Sequence, residues 1–225
     1  ELRAAAHIAY IPNMLQAYNN NMDLHTETAR AISGKDNISE QERYQAKAVN
    51  FGFLYGMTAK SFVDYAKQSY DVVISYEQAE QFRDSYFKNY PELKDYYVKI
   101  QQDMNKKGYI ENPVGRRKRY PKDFKDNNLL SHINAPIQGF GSDVLVLSLL
   151  EISELPECDF YFKILGTVHD SILLAIKKKY LNTLDKIVHI MENPKYVKEL
   201  MDEPLLVPLK ADYSIFEHCW YGKKI

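Results

Sequence analysis

The chain has 225 residues, of which 45% are hydrophobic and 26% are charged, so it can fill a core, and a disordered or fibrous protein is excluded. Its 29 Lys and Arg against 30 Asp and Glu give a net charge of −1, so any affinity for nucleic acid must come from local patches. The two cysteines lack zinc-ligand spacing and favour a reducing, intracellular compartment. The longest nearly continuous apolar run, 144–150, which contains Ser148, is far shorter than the roughly 18 residues of a membrane helix, so no membrane partner is expected.

Helices dominate the first two thirds of the chain in our interpretation. The apolar spacing predicts helices over 2–18, 23–32, 40–56, 58–69, 76–89 and 91–107. The third of these begins with a capping box, in which a hydroxyl at Ser39 precedes a carboxylate at Glu42. The pattern therefore places most of the core among helices.

The last half of the chain adds strands. Pro113 and Gly115 predict a hairpin over 108–121, and a long helix over 127–153 should be interrupted or distorted around Pro136. Two buried strands joined by a polar turn are predicted over 160–176. The remaining elements are a helix over 180–201 and a strand near 205–211. The sequence thus predicts an α+β fold, a helical lobe inserted in a smaller antiparallel sheet.

One side of the helix predicted at 40–56 has two cations followed by two aromatic rings. Arg43, Lys47, Phe51 and Tyr55 follow at four-residue intervals and so form a slowly drifting stripe. The other side of the helix carries apolar residues that can be buried in the core: Ala46, Val49 and Phe53. The stripe suits a nucleoside triphosphate, because cations neutralise phosphate and a ring supports sugar and base. The alternative is an ordinary amphipathic helix with solvated cations and rings in the core.

A polar turn interrupts the apolar segment 160–176. It contains Asp170, whose charge between apolar strands would be costly unless a cation or water received it. Asp170 is therefore a candidate metal ligand. The alternative is a turn aspartate that caps its own backbone.

Basic residues are concentrated between positions 106 and 125. This segment contains eight basic residues and two acidic ones. The basic residues are Lys106, Lys107, Arg116, Arg117, Lys118, Arg119, Lys122 and Lys125, and the acidic ones are Glu111 and Asp123. Such a local excess can bind duplex phosphates in a salt-dependent manner. A solvated hairpin tip is the alternative.

The segment 43–56, RYQAKAVNFGFLYG, matches the pattern RxxxKxxNFGxxYG at every fixed position. It resembles motif B of the family A DNA polymerases, the bacterial DNA polymerase I type. The resemblance implies helical fingers inserted in a palm with a small antiparallel sheet: 1–12 as the start of the palm, 13–107 as fingers and 108–225 as palm. It also implies that Arg43 and Lys47 hold the incoming triphosphate, with Lys47 a candidate proton donor to the departing pyrophosphate.

The same resemblance implies further nucleotide contacts. Phe51 would pack near the sugar, with rejection of dideoxynucleotides, and Tyr55 would lie near the templating position. Glu1 would be a steric gate against the ribose 2′-hydroxyl, hydrogen-bonded near Tyr55; its alternative is an exposed carboxylate. The segment 23–29 resembles the DIHxxTA segment of the family, so His25 would meet triphosphate oxygens; by itself it would be an ordinary helix histidine.

The triplet 169–171, His-Asp-Ser, resembles motif C of the family, which is usually His-Asp-Glu. The resemblance implies that Asp170 is a ligand in a site for two Mg²⁺ ions. Ser171 departs from the usual glutamate and cannot replace it as an ionic ligand. The residues Glu1-Leu2-Arg3 resemble the end of motif A, so the second carboxylate ligand is expected outside this chain. The isolated chain is therefore expected to be inactive.

Contacts with DNA are implied by two further segments. Residues 115–117 resemble the GRR hairpin of the family, and residues 133–139, INAPIQG, resemble its INAPxQG segment near the primer end. Leu130 stands where the family often has an arginine, so the resemblance does not imply that primer contact here. The expected DNA-binding residues are Arg3, Arg116, Arg117, Asn134, Gln138 and His169.

The resemblance implies template-directed DNA synthesis, with deoxynucleoside triphosphates and primer-template DNA as partners, together with upstream thumb and palm segments. Two alternatives stay open. His169-Asp170-Ser171 also resembles motif C of single-subunit RNA polymerases, although Asn50-Phe51 and the Glu1 gate favour the DNA enzyme. The other alternative is a catalytically inactive, DNA-binding relative, which Ser171 and the missing aspartate of motif A motivate.

Overall fold

The fold was analysed in a computed structural model that describes residues 1–120 and 129–217. These residues form α-helices and two antiparallel hairpins, so the predicted α+β class is confirmed. The helices are α1 (Leu2–Ile8), α2 (Pro12–Asn19), α3 (Leu24–Ser33), α4 (Glu40–Leu54), α5 (Ala59–Tyr70), α6 (Tyr76–Asn89), α7 (Glu92–Lys107), α8 (Leu129–Ser153), α9 (Thr183–Glu192) and α10 (Lys195–Leu200). The strands are β1 (Tyr109–Glu111), β2 (Arg117–Arg119), β3 (Phe162–Val168) and β4 (Ser171–Ile176).

Side-chain caps fix where the central helices begin. The predicted capping box of α4 is present, since the Glu42 amide donates to the Ser39 hydroxyl and Glu42 accepts from the Ser39 amide at 2.9 Å. Ser75 and Gln78 form the same arrangement at α6. Asp23 caps α3 by accepting from the Thr26 amide at 2.8 Å. These caps satisfy amides that have no partner within the helix.

The apolar face of α4 packs into the core as predicted. Ala46, Val49 and Phe53 are at most 2% exposed. The Phe53 ring lies 4.3 Å from the Phe62 ring of α5, centroid to centroid, and 5.9 Å from the Tyr86 ring of α6. Burial of this face leaves the other side of α4 available for a site.

Both predicted hairpins are present, but the strands of the second are not buried as predicted. Within β3 and β4 one residue, Phe162, is buried, and the others are half-buried or exposed because the core that the hairpin covers is small. In the first, Glu111 pairs with Arg117. In the second, Val168 pairs with Ser171, so the turn consists of His169 and Asp170, and His169 has a positive φ of 54°. The second hairpin packs against a small core in which Ile152, Phe162 and Ile187 are buried. The hairpin therefore holds Asp170 at an exposed tip.

Four sequence predictions of secondary structure were wrong. The segment 2–18 is two helices, because Tyr10 has a φ of 49° and the second helix starts at Pro12. Helix α8 runs through Pro136 without a break. The segment 180–201 is a 3₁₀ turn followed by α9 and α10, which Pro194 separates. No strand is assigned over 205–211.

The chain divides into two compact units. The first comprises Glu1–Phe140 with Leu205–Val207, and the second comprises Gly141–Pro204 with Pro208–Ile225. The palm and fingers boundaries at residues 12 and 107 stay a prediction.

Helix α8 meets a length and composition test for membrane helices. Within the described residues the segment Ser131–Ser153 is long and apolar enough to cross a membrane. Core helices of water-soluble proteins pass the same test, and α8 carries three buried polar residues among those described, His132, Asp143 and Ser148. The finding is therefore weak and supports no membrane assignment.

Close packing of α4 on α5 gives a first prediction. A Cβ atom at Gly52 would lie 2.6 and 2.8 Å from two ring carbons of Phe62. Gly52→Ala should lower the free energy of unfolding by about 1–2 kcal/mol, because overpacking outweighs the gain in helix propensity. Gly141→Ala is the matched control, since nothing lies within 4 Å of the added carbon; it should be neutral or slightly stabilising. Urea unfolding measures both, and equal midpoints for wild type and Gly52→Ala would contradict the packing argument.

Candidate functional site

The stripe on α4 is partly exposed in the structure. Arg43, Lys47, Phe51 and Tyr55 are all half-buried, whereas the residues between them on the other side are buried. The two cations therefore reach solvent, and the two rings follow them along the helix. This is the arrangement that the four-residue spacing predicts.

Asp23 holds the first cation of the stripe. The Arg43 guanidinium donates to both carboxylate oxygens of Asp23, at 2.9 and 2.7 Å, which joins α4 to the start of α3. Burial disfavours ionisation of Asp23, but hydrogen bonds from Arg43 and Thr26 outweigh it and lower the pKa of the Asp23 carboxyl to about 2. The same pair raises the pKa of Arg43. Both groups are charged at neutral pH.

His25 lies between the same two helices. Its Nδ1 atom is 3.0 Å from Nδ2 of Asn50, a residue that is fully buried on α4. Burial lowers the pKa of His25; the negative charge of Asp23 opposes this effect, and the positive charges of Arg43 and Lys47 add to it. The His25 ring is thus predominantly neutral near pH 7.

Four of the predicted nucleotide-binding residues therefore belong to one neighbourhood. The Phe51 ring lies 6.2 Å from the His25 ring, centroid to centroid. Arg43 reaches the N-cap of α3 beside His25, and the charge of Lys47 acts on His25. A neutral imidazole, two cations and a ring thus surround the N-terminus of α3. The partial positive charge of that terminus already faces the Asp23 carboxylate that caps it.

Tyr55 and Glu1 form the hydrogen bond that the family resemblance implies. The Tyr55 hydroxyl donates to the Glu1 carboxylate at 2.7 Å, and burial together with this carboxylate raises the pKa of Tyr55. Helix α7 supports the end of α4, since the Tyr97 hydroxyl lies 2.9 and 2.8 Å from the carbonyl oxygens of Phe53 and Leu54. Tyr55 is therefore held by its hydroxyl, and the two residues before it are held by Tyr97.

The basic hairpin contacts α8. A Cβ atom at Gly139 would be 4.0 Å from Cδ of Arg116 and 3.6 Å from Nδ2 of Asn112. Arg117 forms an ion pair with Glu111 across the hairpin, and its guanidinium carbon lies 4.8 Å from the Tyr109 ring centroid. Arg116 is thus close to the helix that carries Asn134 and Gln138.

The remaining predicted DNA-binding residues of the first unit differ in exposure. Gln138 is exposed, and Asn134 has a buried Oδ1 atom without a hydrogen-bond partner among the described residues. The guanidinium carbon of Arg3 lies 4.3 Å from the Tyr18 ring centroid. Of the basic patch, Lys107 is paired with Asp103 at 2.9 Å. Four side chains used in the sequence argument lie outside the described part of the chain: Lys122, Asp123, Lys125 and Leu130. Cys219 also lies outside it.

The second unit contains His169 and Asp170, both exposed in the turn between β3 and β4. Within residues 1–120 and 129–217, no three His, Cys, Asp or Glu side chains form a group that could hold a metal ion. Mg²⁺ is commonly bound through one or two carboxylates together with water and substrate phosphates. Asp170 fits such a partial site as one ligand, and the described residues do not complete it.

A sequence model described as DNA polymerase family A matches residues 1–221. The chain belongs to DNA polymerase family A. It is 34% identical over 219 residues to DNA polymerase I of Aquifex aeolicus, covering 90% of this chain and 37% of that protein. The DNA polymerase I of Bacillus caldotenax is 32% identical over 234 residues and that of Streptococcus pneumoniae 33% over 237; both matches cover all of this chain and 25% of the relative.

A solved structure shares the fold of this family A chain. It is the POL domain of Pol1 from M. smegmatis in complex with DNA primer-template and dNTP, with a TM-score of 0.72 and 24% identity. The match covers 93% of this chain and 36% of that one. The chain thus spans about a quarter to just over a third of the proteins it matches.

Our sequence reasoning missed three residues that organise the site: Asp23, Thr28 and Tyr90. Asp23 and Thr28 stand in the segment that resembles DIHxxTA, and Thr28 is fully buried. Thr28 stands four residues after Leu24, and Asn50 follows Val49, so both are polar residues beside apolar positions of predicted helices. Because a polar group buried at such a position needs a partner, their placement was a usable signal. Tyr90 follows α6 and carried no such signal.

The Asp23–Arg43 pair gives a prediction of pH dependence. The folded pKa of Asp23 is lowered from 3.8 to about 2, so its contribution to stability is present above pH 3.8 and is lost as the pH falls towards 2. Asp23→Asn keeps a helix cap but removes the charge, so it should lower the free energy of unfolding by less than about 1 kcal/mol at neutral pH. The difference from wild type should vanish near pH 2.

Asp36→Asn is the matched control, because it removes the same charge at an exposed position near the end of α3. Denaturant unfolding at several pH values measures all three proteins. A difference between wild type and Asp23→Asn that grows towards low pH would contradict the ion-pair assignment.

Proposed function

We propose that this chain forms the nucleotide-binding and part of the catalytic region of a DNA-dependent DNA polymerase, which adds deoxynucleotides to a primer 3′ end. The observation that carries the proposal is the grouping of Arg43, Lys47, His25 and Phe51 around the N-terminus of α3. Membership of family A supports it. In the reaction, the primer 3′ oxygen bonds to the α-phosphorus and the bond to the β-phosphate oxygen breaks, which releases pyrophosphate.

The triphosphate would lie along the cationic side of α4. Arg43 and Lys47 would neutralise its charge, and His25 would donate a hydrogen bond to a phosphate oxygen. Lys47 is the candidate proton donor to the departing pyrophosphate, since an ammonium group one helical turn from Arg43 can follow the same phosphates. Asp23 competes with the nucleotide for Arg43, because one guanidinium cannot hold two bidentate anions on the same edge.

Selection of the sugar would depend on two further groups. The Phe51 ring would pack against the sugar, and the Glu1 side chain, hydrogen-bonded to Tyr55 at 2.7 Å, would exclude the 2′-hydroxyl. Because the hydrogen bond to Tyr55 would hold the Glu1 carboxylate in place, a ribose 2′-hydroxyl would clash with the carboxylate instead of pushing it aside. Tyr55 would border the templating position.

Asp170 would be a ligand of Mg²⁺ ions in the polymerase. The bound ions would activate the primer 3′-hydroxyl and stabilise charge on the triphosphate and leaving group. The turn at His169 and Asp170 exposes the carboxylate at the end of a paired hairpin. We infer that the second carboxylate ligand comes from outside these 225 residues, so the chain by itself would be inactive.

Primer-template DNA and deoxynucleoside triphosphates are the proposed partners, with upstream thumb and palm segments of a longer protein. The related POL domain was solved in complex with DNA primer-template and dNTP. The proposed contacts use Arg116 and Arg117 on phosphates and Asn134 and Gln138 in the minor groove, where acceptors vary little with sequence. Arg3 and His169 complete the proposed set. Such a protein would act inside the cell.

Primer extension by the full-length protein that carries this chain tests the proposed activity. Asp170→Ala should lower the extension rate by at least about 100-fold, because a metal ligand supports several kcal/mol of transition-state stabilisation. Asp202→Ala is the matched control, since it removes an exposed carboxylate elsewhere in the second unit.

Three results would contradict the proposal. Equal rates for Asp170→Ala and wild type would remove the metal assignment. Preferential use of ribonucleotides would favour an RNA polymerase. DNA binding without extension by the wild-type protein would favour an inactive, DNA-binding relative.

Phe51→Tyr tests the sugar contact. The added hydroxyl should hydrogen-bond the nucleotide where a dideoxy sugar lacks its own 3′-hydroxyl, so incorporation of dideoxynucleotides should rise by about tenfold or more relative to deoxynucleotides. Phe160→Tyr, the same change at an exposed residue of the second unit, is the control. Competition between the two nucleotide types measures the ratio, and an unchanged ratio in Phe51→Tyr would place the sugar elsewhere.

A further inference from the structure

A chain of buried polar side chains runs from Tyr90 to the edge of the candidate site. The Tyr90 hydroxyl lies 2.8 Å from the Thr28 hydroxyl, and the Thr28 hydroxyl lies 3.1 Å from Oδ1 of Asn50. Nδ2 of Asn50 then lies 3.0 Å from Nδ1 of His25. Thr28 and Asn50 are fully buried, and Tyr90 is 1% exposed. Water cannot therefore replace these contacts without opening the core.

The direction of each hydrogen bond follows from what each group can donate. Both other partners of the Thr28 hydroxyl, Oδ1 of Asn50 and the Leu24 carbonyl oxygen at 2.9 Å, are acceptors. Thr28 therefore directs its single hydrogen towards them, and Tyr90 is the donor to Thr28. With Oδ1 facing Thr28, the amide of Asn50 presents Nδ2 to the histidine.

This orientation decides the protonation of His25. An amide nitrogen donates and does not accept, so Nδ1 of His25 must be the unprotonated ring atom. The single ring hydrogen is then on Nε2, the atom that does not face Asn50. The charges around the ring agree with a neutral imidazole: Arg43 and Lys47 on α4 disfavour the imidazolium, and Asp23, the one opposing charge among the described residues, favours it.

We propose that Asn50, oriented by Thr28 and Tyr90, is a positioning residue that keeps His25 in its neutral, Nε2-protonated form. His25 then donates to a nucleotide phosphate across the physiological pH range without a change of charge. The effect on nucleotide binding rests on the proposed function. The protonation itself is a property of the free protein.

Nitrogen NMR of the histidine side chains tests the protonation directly. In the full-length protein with ¹⁵N-labelled histidine, the His25 signals, assigned by their loss in His25→Ala, should show protonated Nε2 and unprotonated Nδ1 near pH 7. Thr28→Val removes the hydroxyl that orients Asn50 and should give a mixture of the two neutral forms, whereas Thr28→Ser should keep the wild-type form. A wild-type ring protonated at Nδ1 would overturn the proposal.

Asn50→Asp tests the consequence. A carboxylate can only accept from His25, so the ring should become protonated at Nδ1 and its pKa should rise. Above that pKa the neutral ring would turn an unprotonated Nε2 towards the phosphate. The KM for deoxynucleotide, relative to wild type, should therefore increase about tenfold between about pH 6 and about pH 9.

Gln41→Glu adds the same charge to the exposed N-terminal part of α4, so it controls for simple repulsion of the triphosphate and should show a ratio to wild type that does not change with pH. A flat ratio for Asn50→Asp, with the variant folded by circular dichroism, would overturn the positioning role. If Asn50→Asp does not fold, the comparison of Thr28→Val with Thr28→Ser decides the matter. Correct protonation in a protein that does not bind deoxynucleotides would instead refute the proposed function alone.

Discussion

The candidate site depends on how α3 is fixed against α4. Two contacts do this at different depths: the buried amide of Asn50 on His25, and the more exposed ion pair of Arg43 with Asp23. The buried contact is the stronger constraint, since an unsatisfied polar group in the core costs more than an exposed ion pair contributes. Groups from two helices thereby act as one surface, although they are about twenty residues apart in sequence.

The net positive charge of this surface is smaller than the sequence suggests. Arg43 and Lys47 supply two positive charges, but Asp23 cancels one, and the neutral His25 adds none. A triphosphate that approaches therefore meets a weakly positive site with several donors rather than a strongly positive one. Such a site can distinguish anions by geometry and can release a product anion, because binding does not rely on net charge alone.

The sequence predicted the local features of this protein better than the long-range ones. Periodicity identified α3 to α7 nearly to the residue, the capping box located the start of α4, and the polar residues His169 and Asp170 located the turn of the second hairpin. The ends of the chain were predicted less well. Tyr10 and Pro194 break patterns that look continuous, and the segment 205–211 has apolar residues but no partner strand. The contact of Asn50 with His25 could not be read from spacing, because it depends on the packing of two helices.

The hairpin at His169 and Asp170 shows how much a short turn can constrain chemistry. Pairing of Val168 with Ser171 leaves only two residues for the reversal, and His169 takes the positive φ that the reversal requires. Asp170 is consequently exposed at the tip. Ser171, fixed by its pairing in β4, brings a hydroxyl where the related motif has a second carboxylate. Since a hydroxyl is neutral, any divalent ion at this tip would depend on Asp170 and on ligands from other segments for its charge balance.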